Sequence, residues 1–554
     1  MDNLQLSSRV KRLAVMMQLL GENPYKIRAF EKAADMIAAH PEQMGVLIDE
    51  DRLRQIKGIG ESLEKVILHY TKSGMSSLEL DLEKRLPPGL PELLDLPGLG
   101  REKVSILWKK YGITTTESLR DACATGALNS YAGFGEKHAT KILEALDFKD
   151  KHRADFLLST ALEVASVWMT RFTDSFPNHR FELTGTLRRI DKLAQTVDIL
   201  TNLPLSNLTG QFTEAEIKNE GEGAFIQLPD PSGLTVRIWS VEDQGFGLGQ
   251  LIHTGGEVYL PLVKKAIERK HLYTPSETNE AELCQELGLT WVEPEMRDLF
   301  TSPPIESDTL ITANDIRGVF HAHSTWSDGS HSLEEMAGAV ADAGYQYFGI
   351  SEHSQAAYYA NGLQPERVKA QWARIDELNE KYPGLHLFKG IEADILKDGR
   401  LDYDEDLLAG FDFVIASIHS HFHLDSRTQT ERLIRALQSP FTTMLGHPTG
   451  RMLLAREGYA PDMTAVIDAA AEYGKIIEIN TTPKRLDLDW RHLPYAKEQG
   501  VRISINPDAH RMTAIQTIPL GVMIARKAGL TTRDVINTRG VDDVKTCFEE
   551  TRKP

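Results

Sequence analysis

Cysteine is scarce: Cys123, Cys284 and Cys547 are the only three in 554 residues, and none belongs to a CxxC pair. That argues against a disulfide framework and a thiolate zinc site, and leaves reduced, structural thiols as the reading. Long apolar runs are missing too. No stretch approaches the roughly 18 apolar residues of a membrane span, and the opening MDNLQLSSRVKRL lacks the apolar segment of a signal peptide, so a cytoplasmic protein is expected. Positive charge is in deficit: 62 Lys and Arg stand against 80 Asp and Glu, a formal net charge of −18. This argues against a protein that coats nucleic acid by bulk electrostatics, but leaves local binding open. What is present is ordinary, with 41% hydrophobic and 26% charged residues, the composition of globular protein with real cores. At about 100 to 200 residues per domain, the length calls for three to five modules.

Residues 1 to 150 read as helical, with apolar spacings such as Val10, Leu13, Met16, Met17 and Leu20 broken by Gly and Pro. A short pattern recurs there: Ile56-Lys57-Gly58-Ile59-Gly60, Leu96-Pro97-Gly98-Leu99-Gly100 and Tyr131-Ala132-Gly133-Phe134-Gly135, each followed by a helical stretch. A GxG turn leaves the N–H groups of the next helix free to hold an anion, and glycine lets a phosphate approach closely. Gly58, Gly60, Gly98, Gly100, Gly133 and Gly135 are thus candidate contacts to a DNA backbone, independent of base sequence, with Lys57, Arg101, Lys103 and Lys137 adding positive charge. The alternative is that each GxG only turns a corner in a bundle. Three copies favour the first reading.

Beyond residue 315 short apolar runs end repeatedly in a histidine or acid: before His321-Ala322-His323, Glu352-His353, Glu392, His419, His447 and Asp508-Ala509-His510. Helical stretches at 332–343, 366–380 and 462–473 intervene, so the strands should be parallel, and residues at their carboxyl ends should meet at one mouth. Two histidines in HxH point to the same side of a strand and can share an ion. Imidazole with carboxylate suits zinc, manganese or iron. The candidate ligands are His321, His323, Asp328, His353, Glu392, His419, His447, Asp508 and His510. His331, His421, His423 and His492 fall outside the pattern, with His421 and His423 read as solvent-exposed.

The whole chain resembles the bacterial and archaeal X-family DNA polymerases that carry a C-terminal PHP (polymerase and histidinol phosphatase) domain. In front, Asn23-Pro24-Tyr25-Lys26-Ile27-Arg28-Ala29-Phe30 looks like the family's helix start, and the GxG turns look like helix-hairpin-helix motifs. In the middle, Gly185-Thr186-Leu187-Arg188-Arg189 is similar to GSxRR, and Leu287-Gly288-Leu289 through Arg297 to LGL...PPELR. At the back, the order HxH, D, H, E, H, H, DxH, with His447-Pro448-Thr449-Gly450-Arg451 and Glu478-Ile479-Asn480, resembles the PHP pattern with every position filled.

The resemblance implies a multidomain α/β chain: helical helix-hairpin-helix domains, an α+β nucleotidyltransferase-like palm with a thumb, and a distorted seven-stranded βα barrel. The expected boundaries are 1–85, 86–150 (fingers-like), 151–240 (palm), 241–300 (thumb), a linker at 301–314 that includes Thr301-Ser302-Pro303-Pro304, and 315–554. It further implies one ion on His321, His323, Glu392 and Asp508, a second bridged by Glu392 to His419 and His447, and a third on Asp328, His353 and His510. Clustered divalent ions of this kind activate water for phosphoester hydrolysis, so His321, His323, Glu392 and Asp508 would act through it. Arg451 or Arg485 would hold a phosphate, a surface salt bridge being the alternative for each. Glu352 is expected to fix the ring of His353.

The palm departs from its family. The DxD pair corresponds to Thr196-Val197-Asp198, the third aspartate to Thr235 of Thr235-Val236-Arg237, TGSK to Thr254-Gly255-Gly256-Glu257, and the glutamate after the double arginine to Lys192. A threonine hydroxyl cannot replace a carboxylate on a hard cation, so the palm's metal pair should not assemble. Arg188, Arg189 and Asp198 are its remnants. A Schiff-base lyase is also unexpected, because the relevant position holds Val66 and Lys65 would face elsewhere. The expectation is therefore a metal-dependent 3′-5′ exonuclease with manganese or zinc. A phosphomonoesterase acting on a small metabolite and a noncatalytic DNA-end binder with structural metals are the alternatives.

Overall fold

The computed structural model describes residues 3–552 apart from 41, 43, 51, 57, 74–75, 88, 95, 97–98, 132, 213–214, 221–222, 270–278 and 300–308. Lys57, Pro97, Gly98 and the Thr301 to Pro304 stretch thus lie outside the described residues. The chain divides into two compact units, 1–153 and 154–554. Cys123, Cys284 and Cys547 are buried free thiols. Among the described residues no helix is long and apolar enough to cross a membrane.

The first unit is helical. Asn23 starts the helix Pro24–Ala39 by accepting the N–H of Tyr25 at 2.8 Å, with Pro24 at the first position, where its missing N–H costs nothing. Apolar residues from Leu6 to Leu146 form one core, shared by the stretches expected as 1–85 and 86–150. The described residues of the three GxG turns share one hydrogen bond. In each, the residue between the glycines donates its N–H three residues back: Ile59 to Ile56 (3.1 Å), Leu99 to Leu96 (3.1 Å) and Phe134 to Tyr131 (3.0 Å). The helices Glu61–Ser73, Arg101–Tyr111 and Glu136–Lys151 follow at once. Gly58 and Gly133 have φ of 106° and 85°, a backbone region that side chains disfavour. Gly60, Gly100 and Gly135 carry no such demand, and a Cβ added at any of them would meet open space. Internal packing therefore gives no reason for glycine at these three positions. Of the neighbouring cations, Arg101 pairs with Glu31 at 3.2 Å and Lys103 lies 6.0 Å from the Phe134 ring. Val66 is buried in the core, while Lys65 is exposed and pairs with Glu61 at 2.8 Å.

The second unit opens with seven strands: β1 (Phe156–Leu157), β2 (Phe181–Leu183), β3 (Leu193–Ala194), β4 (Thr196–Thr201), β5 (Glu216–Glu220), β6 (Gly223–Pro229) and β7 (Thr235–Ser240). β1 and β3 pair on their own, and the rest form a mixed sheet of order β2-β4-β7-β6-β5, parallel only between β4 and β7. The helices Phe246–Thr254, Leu260–Arg269 and Glu280–Glu286 follow. Seven more strands, β8 (Gly318–Val319), β9 (Tyr347–Ile350), β10 (His386–Asp394), β11 (Phe413–Ser417), β12 (Met444–Leu445), β13 (Ile476–Asn480) and β14 (Ile503–Asn506), pair in sequence order and all in parallel.

This sheet curls into a nearly closed barrel. Its first and last strands meet through Asn537, whose amide donates to the carbonyls of Gly318 (3.0 Å) and Ile505 (2.9 Å). Phe320, Phe388, Phe413 and Phe548 fill the interior together with Tyr347. Gly349 and Gly390 are needed beside Phe413, because a Cβ on either would come within 2.7 Å of its ring. The described end of the expected linker is docked: Ile311 donates to Leu530 O at 3.1 Å and is fully buried.

Candidate metal centre

The ligand-bearing residues gather where the strands end. β8 stops at Val319 and His321 has a φ of 56°, so alternation along a pleated strand is not what aligns the HxH pair. The barrel seam aligns it. Ala322 pairs with Ala509: His323 N donates to Ala509 O at 2.8 Å, and Ala509 N to His321 O at 3.1 Å. Closure therefore sets HxH beside DxH. His447 and Asp508 also have positive φ, 23° and 47°. Each such residue costs about 1 to 3 kcal/mol and persists only where the surrounding fold dictates it.

Glu392, fully buried on β10, is the hub. One carboxylate oxygen lies 3.2 Å from His321 Nε2, 3.2 Å from His419 Nε2 and 3.0 Å from His447 Nε2. The other lies 2.8 Å from His353 Nδ1 and 3.7 Å from His323 Nε2. Asp508 Oδ1 is 3.3 Å from His323 Nε2 and 3.5 Å from His321 Nε2. Asp328 Oδ1 is 3.6 Å from His353 Nε2 and 3.5 Å from His510 Nε2.

Among the described residues four overlapping groups could each hold an ion: His321, His323 and Asp508; His321, Glu392 and His447; His353, Glu392 and His419; and His323, Asp328, His353 and His510. All nine candidate ligands are in this cluster. Its allocation differs from the sequence-based one: Glu392 is absent from the His321, His323 and Asp508 group, His447 and His419 fall in different groups about Glu392, the first with His321 and the second with His353, and His323 is shared with the Asp328 group.

The donor set fits divalent metal. His321 Nε2, His323 Nε2 and Glu392 Oε2 are buried and crowd other ligand atoms without the alignment of a hydrogen bond, an arrangement protein interiors avoid unless something else fills the valence. The charge balance agrees. Burial alone would raise Glu392, but His419, His321 and His353 outweigh it and hold the carboxyl well below its usual range. Asp508 is likewise held well below, His321 and His323 overcoming burial. Conversely, burial would lower His419 and His510, yet the adjacent carboxylates Glu392 and Asp394 lift the first to about 10, and Asp328 and Asp508 the second to about 9. Burial, with His510 and His353 nearby, pushes His323 down to about 3, leaving it a neutral donor. The carboxylates demand positive charge, which protons supply where no cation does.

An outer layer aims the ligands. Glu478 on β13 faces His321 Nδ1 at 2.5 Å, accepts His447 N at 2.8 Å and is held by Asn506 Nδ2 at 2.9 Å. Asp394 faces His419 Nδ1 at 2.6 Å, and Asn480 donates to Asp508 Oδ2 at 3.0 Å. Sequence reasoning gave Asp394, Glu478 and Asn480 no role, although a period of two along β10 and β13 places them on the inward face with Glu392.

Glu352 corrects an expectation. Its buried carboxylate accepts the N–H groups of Ser324 (3.0 Å) and Ser327 (3.2 Å), both serine hydroxyls, and Gln371 Nε2 at 3.2 Å. It clamps the turn between His323 and Asp328 rather than the His353 ring. Arg451 takes the salt-bridge alternative, though half-buried rather than at the surface: its guanidinium is spent on Arg485 O (2.8 Å), Leu486 O and Asp489. Arg485 stays at the centre, its Nε 3.6 Å from Asp508. His421 and His423 are exposed, and His331 and His492 join none of the ligand groups.

The palm remnants are spent as well. Register sets Asp198 opposite Arg237, whose Nε donates to it at 2.6 Å; Thr196 Oγ1 and Trp239 Nε1 donate at 2.7 and 3.3 Å. Arg188 binds Thr254 Oγ1 (2.8 Å), Gln250 and Glu280, and Arg189 binds Thr254 O (2.7 Å), Asp191 and Asp298.

Residues 1–76 match the helix-hairpin-helix domain, residues 90–147 the SAM-like helix-hairpin-helix tandem, and residues 320–482 the PHP domain. Fold and site thus define a class, an enzyme with helix-hairpin-helix domains in front and a metal-dependent hydrolase barrel of the PHP type behind. Over 97% of its length the chain is 36% identical to the DNA polymerase/3'-5' exonuclease PolX of Bacillus subtilis (strain 168), of which it covers 97%. The chain belongs to the PolX family of X-family polymerase/exonucleases. A third of it also matches a probable phosphatase of Caldanaerobacter subterraneus, 34% identical over 73% of that protein. A probable phosphatase of Thermoanaerobacter sp. (strain X514) is 30% identical over 38% of this chain and 92% of its own.

Proposed function

We propose that this chain is a metal-dependent phosphodiesterase that degrades DNA from 3′ ends, a cytoplasmic repair exonuclease, and that its palm no longer transfers nucleotides. The contrast between a complete ligand cluster and a palm whose remaining aspartate is closed by Arg237 carries this reading. The centre would hold three divalent ions: His321, His323 and Asp508 with Glu392; Glu392 with His419 and His447; and Asp328, His353 and His510. Manganese or zinc suits these donors best, and iron also fits. Bound there, the ions supply the Lewis acidity that phosphodiester hydrolysis needs.

The chain's own groups do the rest. Glu478 and Asp394 accept ring N–H groups and so turn the other imidazole nitrogen of His321 and His419 inward. Arg485 presents a planar fork to the scissile phosphate. The hairpins grip backbone phosphates without reading bases, through N–H groups beside Gly58, Gly60, Gly100, Gly133 and Gly135, with Gly98 in the equivalent sequence position.

The likeness to probable phosphatases favours a second reading, a phosphomonoesterase on a small metabolite. One assay separates them: purified protein with a gapped, end-labelled duplex, with and without nucleotides, across several divalent metals. Mononucleotide release without extension is the expected result. Template-directed extension would overturn the loss of palm activity, and phosphate release from small esters with intact DNA would overturn the exonuclease.

A further inference from the structure

Lys192 has no part in the reading above, yet it sits in a dense ionic contact between palm and barrel. Its ammonium lies 2.6 Å from Asp489, just beyond the barrel strand β13. The same carboxylate accepts Arg451, and also Arg491 at 3.1 Å. Arg451 in turn grips the backbone carbonyls of Arg485 and Leu486, the residues that turn Arg485 toward Asp508 of the centre. Leu486 has a φ of 43°, so this turn is strained and needs outside support.

The palm side is equally anchored. Lys527, fully buried on the barrel, donates to Arg189 O (2.6 Å) and pairs with Asp191 (3.2 Å) and Asp298 (2.6 Å), with its ammonium 4.6 Å from the Trp490 ring. Residues 189–192 are therefore pinned to the barrel at two points, Asp489 and Lys527. A glutamate at position 192, as the resembling polymerases carry, would repel Asp489 where lysine attracts it.

We infer that Lys192 is a positioning residue for the hydrolytic centre: through Asp489 and Arg451 it holds the backbone turn that aims Arg485 at the substrate phosphate. The palm's altered sequence then has a use, as a brace for the barrel. This rests on the phosphoesterase reading and on Arg485 as the group that receives phosphate.

A double-mutant cycle tests it, with K192M, R485A and the double variant assayed on end-labelled DNA under saturating metal. K192M is expected to raise KM about fivefold with kcat within about twofold, K192R to restore wild-type KM, and the double variant to be no worse than R485A alone. Metal affinity and melting temperature should not follow the KM change. Additive effects, an unchanged KM in K192M, or failure of K192R to rescue would overturn the inference. If wild-type protein leaves DNA intact, the exonuclease reading falls instead, and the same cycle read on p-nitrophenyl phosphate hydrolysis still decides the role of Lys192.

Discussion

Asp198 in the palm and Glu392 in the barrel are both buried carboxylates on strands, yet they face opposite kinds of counter-charge. Asp198 meets Arg237 at 2.6 Å, a cation built into the chain that stays charged at any working pH. Glu392 meets four histidines within 3.2 Å, side chains that carry a charge only when protonated. A carboxylate is open to metal when its partner can surrender its charge and closed when it cannot. In the palm, threonine stands at two of the three positions where an acid was expected, and the remaining acid is paired with Arg237. In the barrel, all nine expected donors are present in one cluster, and Glu392 faces histidines.

The sharpest break is replacement of His321 and His323 by alanine. Each interaction lost is worth several kcal/mol, so hydrolysis should fall about 1,000-fold or more, while Asp198→Asn leaves the rate unchanged. Initial rates on labelled DNA decide it, and surviving cleavage would show the assigned centre wrong. Next is Glu478→Ala: the residue belongs to none of the four ligand groups, and its truncation removes the acceptor that faces His321. Metal affinity should drop roughly 10- to 100-fold by isothermal titration, and an unchanged affinity would reduce Glu478 to barrel packing.

A third test uses pH. His419 and His510 are held at about 10 and 9 in the ion-free centre, above the ordinary 6.5. Groups raised in the folded state stabilise it fully below pH 6.5, and that stability is lost as pH climbs through 9 to 10. The metal-free protein should therefore melt progressively lower across this range, and the metal-loaded protein should not. Metal uptake near pH 8 should also release protons, seen as a buffer-dependent heat of binding. The smallest effect concerns the hairpins. Gly100→Ala and Gly135→Ala meet no steric obstacle, so melting should stay put while DNA affinity falls a few-fold, about 1 kcal/mol, in an anisotropy titration. Unchanged affinity would return these turns to being corners in a bundle.

The gathering of the nine candidate ligands and the barrel were legible from sequence because both rest on local signals: apolar runs of strand length, most followed by a histidine or acid, with helical periodicity between them. The expectation of a palm without its metal pair was equally local, a matter of threonine at Thr196 and Thr235 where the resembling family has carboxylate. The expectation for HxH was right in outcome and wrong in cause. The pair is aligned by Ala322 meeting Ala509 across the seam, a contact between residues far apart in the chain.

Long-range contact also decided the other outcomes. Glu352 clamps a turn formed by Ser324 and Ser327, Arg451 is spent on Asp489, Asp394 and Glu478 orient histidines on other strands, and Lys192 spans 297 positions to reach Asp489. Residue types by themselves determined which chemistry this chain can do, since donor identity is a property of each side chain. Which donors remain free to do it was left to the tertiary structure, because a charge is available or spent only according to what the fold sets beside it.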